Sequence, residues 1–361
     1  MKTLFLSLYF FCCFSTAYAE STIINLGSFA GNYSIATAVN NNGQVVGSSY
    51  NYPGNYRAFL WQNNVLTDIG TLGGDSSEAS GINNNGQIAG YSGTTGNASQ
   101  HAFIYNISNG SMSDLGTLDG QRSLGFDIND NGQVAGQASF LPEGGWRAFL
   151  FNGSTMLNLG TLPGHHDSAA YGMNNFGHVV GGSWPYLSNE GHAFFYNGSV
   201  MIDIGNLGGS TVASEVNDKG QVIGYSYTSS GNSHAFLWQN NIMTDLGTLG
   251  GNYINSTAQG INQNGQVVGI SSPISGDSHA FLWQNNIMID LNSLVPTNSG
   301  WILTQARDIN DLGQIVGQGI YQGQTRAFLL TPDLSAIPEP TSLFCLMIGL
   351  CGLGIVWKSR K

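Results

Sequence analysis

The stretch INQNGQVVGISSPISGDSHAFLWQNNIMIDLN, residues 261–292, recurs in approximate form from one end of the chain to the other. The glycine of its Asn-Gly turn has counterparts at Gly43, Gly86, Gly132, Gly177, Gly220, Gly265 and Gly313, in steps of 43, 46, 45, 43, 45 and 48 residues. A second landmark, Ala-Phe, keeps the same beat at Ala58, Ala102, Ala148, Ala193, Ala235, Ala280 and Ala327. Seven landmarks of each kind mean seven repeats, and a period of this length marks a repeat architecture.

Within this sixth copy the signals fall into four short strands, at 257–261, 266–270, 279–283 and 287–290. Asn and Gly punctuate the apolar runs as hairpins require, and a variable loop rich in Ser, Gly, Pro and Asp separates the middle pair. Four antiparallel strands in about 45 residues predict the blade of a β-propeller, so the expected fold is all-β with seven four-stranded blades. An open β-solenoid competes, but it needs capping repeats. The last copy ends at 326–332 without a tight corner or fourth strand, while Thr22-Ile23-Ile24-Asn25-Leu26-Gly27 lines up with residues 65–70 of the first. The N-terminal strand is therefore expected to complete the last blade and close the ring.

Composition agrees. Charged residues are only 9% of the chain and Gly occupies 51 positions, a turn-rich all-β profile rather than a helical or disordered one. Residues 1–19 read as a secretory signal peptide, with Lys2, an apolar run over 4–14 and the small-residue site Ala17-Tyr18-Ala19. The repeats occupy 20–333. In the tail, 334–361, Pro338-Glu339-Pro340 precede an apolar run that is expected to form a transmembrane helix over 343–357, closed by Lys358, Ser359, Arg360 and Lys361. Such a run is about 22 Å long against a hydrocarbon core of about 30 Å, so it spans only marginally. Its basic end would lie in the cytoplasm and leave the repeats outside.

All four cysteines, Cys12, Cys13, Cys345 and Cys351, lie in these two ends, so the repeat domain has neither disulfide nor thiol chemistry. From Glu20 to Pro338 six basic residues face twenty acidic ones, a formal balance of −14. That charge repels nucleic acid and anionic lipid surfaces.

The tail resembles the PEP-CTERM sorting signal of Gram-negative bacteria, with its box (Pro338, Glu339, Pro340), apolar run and basic end (Lys358, Arg360, Lys361) in order. The resemblance implies an exosortase-type processing enzyme as partner, attachment to the inner membrane before processing, and then release to the cell surface or extracellular space. An unprocessed anchor is the alternative. The repeats, over about residues 22–331, resemble the HAF-repeat family of extracellular bacterial proteins through His101-Ala102-Phe103, His192-Ala193-Phe194, His234-Ala235-Phe236 and His279-Ala280-Phe281. Arg57, Arg147 and Arg326 take the His place in three copies. This likeness implies architecture and location more than activity.

A position that alternates between His and Arg cannot ligate a metal in every blade, because guanidinium has no lone pair to give. It reads as a donor to backbone carbonyls or to the neighbouring blade. Asp68, Asp114, Asp203, Asp245 and Asp290, with Asn25 and Asn158 at the equivalent place, read as turn caps. Where copies differ, His165, His166 and Asp167, with His178, form a candidate metal site, polar turn residues being the alternative. No other cofactor is expected except Ca²⁺, for which the 127–130 and 308–311 turns cluster oxygens without EF-hand spacing; turns with solvated acids are the alternative. Tyr50, Tyr52, Tyr56, Trp146, Trp184 and Tyr186, in the variable loops, are candidate ligand contacts, or packing between blades. No nucleophile with a base and orienting partner stands out. The expected role is a non-enzymatic binding or matrix component of the extracellular polymer layer, with polysaccharide as ligand. The alternative is an enzyme on extracellular polysaccharide or peptide, with its site at the propeller mouth.

Overall fold

The alternating runs become strands grouped in seven antiparallel sheets of four. The computed structural model describes residues 21–333 except 52, 53, 142, 143, 189 and 275. The fold is an all-β seven-bladed propeller. Blade 6, the copy quoted above, consists of Tyr253–Ile261, Val267–Pro273, His279–Gln284 and Ile287–Asp290, in that order from the channel outward. In blade 7, Trp301–Ile309, Ile315–Tyr321 and Gln324–Thr331 are completed by Thr22–Asn25, in the register Thr22↔Thr331 to Asn25↔Phe328. The N-terminal strand thus covers the edge that blade 7 would otherwise expose. Leu26, 3% exposed, follows it into a cluster built from blades 1 and 7, including Phe59, Trp61, Val316 and Leu329.

Three sequence features explain the blade. The Phe of every Ala-Phe pair is fully buried, as is each Ala, so the landmark is core. The glycine that follows Val-Val in residues 266–269 is also steric. A Cβ at Gly269 would lie 2.1 Å from the carbonyl oxygen of Thr257, and at Gly181 1.9 Å from that of Ala169.

The third feature is the turn at the end of each inner strand. Its first Asn is buried in every copy, and its amide nitrogen donates to the backbone carbonyl of the same residue one blade on. Asn40 bonds Asn83 (2.9 Å), and Asn83, Asn129, Asn174, Asn217, Asn262 and Asn310 continue the chain until Asn310 reaches Asn40 (2.9 Å). The next residue makes a second closed circuit. Asn41, Asn84, Asp130, Asn175, Asp218, Gln263 and Asp311 each donate a backbone N–H to the side-chain oxygen of the next. Two girdles of hydrogen bonds therefore tie the seven blades at one end of the channel.

One expectation is corrected. Among the described residues the helical elements are two short 3₁₀ turns, Thr95–Asn97 and Leu291–Ser293, and no helix is long and apolar enough to cross a membrane. The run at 343–357 expected to form a transmembrane helix is itself about a quarter shorter than a bilayer core requires. It lies outside the described residues, as do the signal peptide at 1–19 and the sorting-signal residues Pro338, Glu339, Pro340, Lys358, Arg360 and Lys361.

Candidate functional site

Every inner strand carries one extra residue, seen as a register shift against its partner, from Ala36/Ala38 in blade 1 to Ala306/Asp308 in blade 7. A β-bulge releases its extra residue from the alternation of the sheet and re-aims the side chain. The bulge residues are Thr37, Ser80, Phe126, Tyr171, Ser214, Gln259 and Arg307. All seven line the central channel, a cavity of about 270 Å³. They also floor a wider mouth of about 480 Å³ at the end opposite the asparagine girdles, where Glu78, Tyr91, Trp184 and Tyr225 add to the wall.

The mouth has two unlike sides. Phe126 and Tyr171, from blades 3 and 4, meet with ring centroids 5.4 Å apart. Burial raises the Tyr171 phenol to about 12, and burial, then the Glu78 charge and hydrogen bond, raise that of Tyr91. Across the ring stands Arg307 of blade 7. Its Nη2 donates to Gln305 Oε1 (3.3 Å), and Gln305 in turn donates to Gln259 (2.9 Å), but its buried Nε has no hydrogen-bond partner. Among the described residues no carboxylate pairs with Arg307 at ion-pair distance. Burial lowers its pKa, and the nearby Tyr33 and Glu78 act in the opposite direction.

Immediately after the bulge the chain reads Ala38, Gly81, Asp127, Gly172, Glu215, Gly260 and Asp308. The glycines are required by the acids that follow them around the ring: a Cβ at Gly172 would lie 2.7 Å from Glu215 Cα, and one at Gly260 2.7 Å from Asp308 Cα. Asp127 accepts the N–H of Met173 (2.7 Å) and of Ile128 (2.7 Å), and Asp308 accepts those of Val39 (2.8 Å) and Ile309 (2.7 Å). Burial outweighs these bonds and raises both carboxyls to about 6, each raised further by a neighbouring acid. Glu215 is pushed well above its ordinary range, by burial first and then by Asp127 and Asp308.

The residues singled out from sequence do not converge. His165 and His166 precede the inner strand Asp167–Met173 of blade 4, while His178 follows it, so they stand at opposite ends of a strand about 20 Å long. His165 packs against His192 (5.0 Å), His166 against Tyr186 (4.9 Å), and Asp167 accepts the Trp146 N–H (2.7 Å). His178 sits beside Asn174 and Phe195. Among the described residues no group of three or more His, Cys, Asp or Glu is placed to hold a metal ion. The oxygens of the 127–130 and 308–311 turns are engaged separately, Asp130 by Asn84 and Asp311 by Gln263 and Asn41.

The variable-loop aromatics share the mouth face. Tyr56 packs edge-to-face against Tyr50 (5.6 Å) and Tyr33 (6.0 Å). Trp146 lies beneath the Arg122 guanidinium (5.6 Å), Trp184 covers Gly182 and Gly191, and Tyr186 is 67% exposed. Tyr52 lies outside the described residues. The His and Asp of the repeat pair on the flank of the propeller, as in His101–Asp114 (2.8 Å) and His279–Asp290 (2.7 Å). Arg57 pairs likewise with Asp68 (3.1 Å), whereas Arg147 donates to the backbone carbonyls of Trp146 and His166. The same carboxylates cap their turns: Asp68, for example, accepts the N–H of Gly70 (2.8 Å).

Neither a protein-family model nor a curated protein matches the sequence. Among solved structures the chain is similar to a puromycin hydrolase (TM-score 0.60, 10% identity, over 86% of this chain and 53% of that one). It is also similar to an oligogalacturonate lyase in complex with manganese (TM-score 0.56, 10% identity, 87% and 97%). TolB from Acinetobacter baumannii aligns at a TM-score of 0.46 and 13% identity, over 83% and 65%. The chain therefore spans about half of the hydrolase and under two thirds of TolB, and at these identities what it shares with them is the propeller fold.

Proposed function

We propose that this chain is an exported, non-enzymatic saccharide-binding propeller of the HAF-repeat type, released to the cell surface or extracellular polymer layer after exosortase processing at its PEP-CTERM tail. The observation that carries the binding role is the mouth. It sets aromatic faces (Phe126, Tyr171, Tyr91, Tyr225, Trp184) beside a guanidinium, a carboxyl and amides in a cavity of about 480 Å³. Sugars present apolar ring faces and rims of hydroxyls, and aromatic walls with a few placed polar groups suit both. The secretory start, the absence of cysteine from the repeats and the −14 balance support an extracellular setting.

A second reading, an enzyme on the same polymer, rests on Glu215, which lines the channel and whose carboxyl burial pushes above its ordinary range, toward the role of a general acid. Incubating the released protein with a panel of purified exopolysaccharides separates the two. Retention on a glycan without product supports binding, new reducing ends establish the enzyme, and retention on none removes the saccharide role.

A further inference from the structure

Arg307 is the one cation among the described residues that lines the channel or its mouth. An incompletely paired, half-buried guanidinium is costly, and in a domain whose formal balance is −14 a carboxylate could have been placed against it. Glu78 acts on it from nearby without forming an ion pair, and Nε remains without a partner. Gln305 holds one terminal nitrogen, and the bulge places Arg307 in the same wall as Phe126 and Tyr171, whose blades 3 and 4 stand opposite blade 7 in a seven-membered ring. The mouth therefore carries a guanidinium and a tilted aromatic pair on different blades, with Ser80 and Ser214 also in its wall.

Resting on the saccharide-binding reading above, we propose that the mouth selects saccharides bearing a carboxylate, the carboxylate docking on Arg307 and the sugar face on Phe126 and Tyr171. Guanidinium matches a carboxylate in a planar two-point fork that no sugar hydroxyl reproduces. The neighbouring acids leave this end open to an anion. Glu78 is hydrogen-bonded to Tyr91 and makes no ion pair with Arg307, although its charge reaches it. Asp127 and Asp308 each hold two backbone N–H groups deeper in the channel, where burial also pushes the Glu215 carboxyl above its ordinary range.

The test titrates the released protein with a glucuronate-containing tetrasaccharide and with the same tetrasaccharide after its carboxylates are reduced to primary alcohols. The acidic form should bind about 10- to 100-fold tighter, the range of charge-assisted hydrogen bonds. Arg307→Gln should erase that difference and leave the neutral form within about threefold of the parent, and Arg307→Lys should keep part of the preference. The melting temperature of Arg307→Gln should equal or exceed that of the parent, since an unpaired charge has been removed. A lower one would make Arg307 a structural residue and overturn the assignment. Equal binding of both sugars by the parent overturns the carboxylate preference and leaves the saccharide role standing; binding of neither overturns both.

Discussion

Asn262 and Asn264 occupy one turn of the repeat, two residues apart, and the structure assigns them unequal weight. Asn262 is 3% exposed, accepts the N–H groups of Asn264 (3.0 Å) and Gln266 (3.0 Å), and donates to Gln266 Oε1 (2.7 Å) and the Asn310 carbonyl of the next blade (3.0 Å). Asn264 makes a single exposed bond, to the Asp311 carbonyl (3.2 Å). Asn262→Ala removes four bonds, while the Asn310 carbonyl keeps the N–H of Gly313 (3.0 Å). At about 0.5 to 1.5 kcal/mol per bond, the loss of the four comes to roughly 2 to 6 kcal/mol. Against a net stability of about 5 to 15 kcal/mol this is large, and it corresponds to a fall in melting temperature on the order of 10 °C. Asn264→Ala should cost under about 1 kcal/mol. Thermal and urea unfolding of both variants would measure the contrast. An Asn262→Ala protein that melts within about 2 °C of the parent, or an Asn264→Ala protein that loses as much as Asn262→Ala, refutes the girdle as a source of stability.

Ring closure and the channel acids make further predictions. Leu26→Ala should lose about 2 to 4 kcal/mol, because Leu26 is buried between blades 1 and 7, while Ile24→Ala on the same strand, 38% exposed, should lose under about 1; equal losses would refute closure through this side chain. Glu215 is pushed above its usual range, so the stability it contributes is complete below about pH 4.5 and is lost as pH rises toward its folded value, at up to about 1.4 kcal/mol per pH unit. Glu215→Gln should therefore match the parent near pH 4 and exceed it near pH 7.5, and parallel urea midpoints across that range would contradict the assignment. Replacing Pro338, Glu339 and Pro340 with Ala should keep the protein associated with the cell, and unaltered release removes the sorting role.

The blade was legible in the sequence because its signals are local. Alternation, the corner pairs Asn63-Asn64 and Asn285-Asn286 with positive φ, and the spare strand at the N-terminus all specify contacts within one sheet or its edge. The girdles were not legible, although the asparagines that form them lie in the quoted motif. A turn needs Asn or Gly for its own geometry, so the same residues are accounted for twice, and their second role, across 43 to 48 residues to the next blade, leaves no pattern distinct from the first. The transmembrane helix failed for another reason: hydropathy registers an apolar run whether or not it is long enough to span.

Apart from Trp184, the residues that line the mouth were missed because the signal lies in a column of the repeat rather than along the chain. Reading down the seven copies at the residue three before the buried Asn gives Thr37, Ser80, Phe126, Tyr171, Ser214, Gln259 and Arg307, and at the next residue three acids among small side chains. Such variation at a fixed point of an otherwise regular repeat resembles noise until the bulge shows that every one of these side chains enters the same space. His165 and His166 drew attention by being unusual in sequence, yet a neighbouring turn absorbs them. Arg307 is equally unusual and is only partly absorbed, by Gln305 and the nearby Glu78, its Nε left unpartnered in the wall of the mouth. In a ring of near-identical blades the shared positions must satisfy their neighbours, so selection for a ligand can act only where the ring leaves a side chain unclaimed. That criterion points to the bulge column and, within it, to Arg307, whose charge is met by no ion pair.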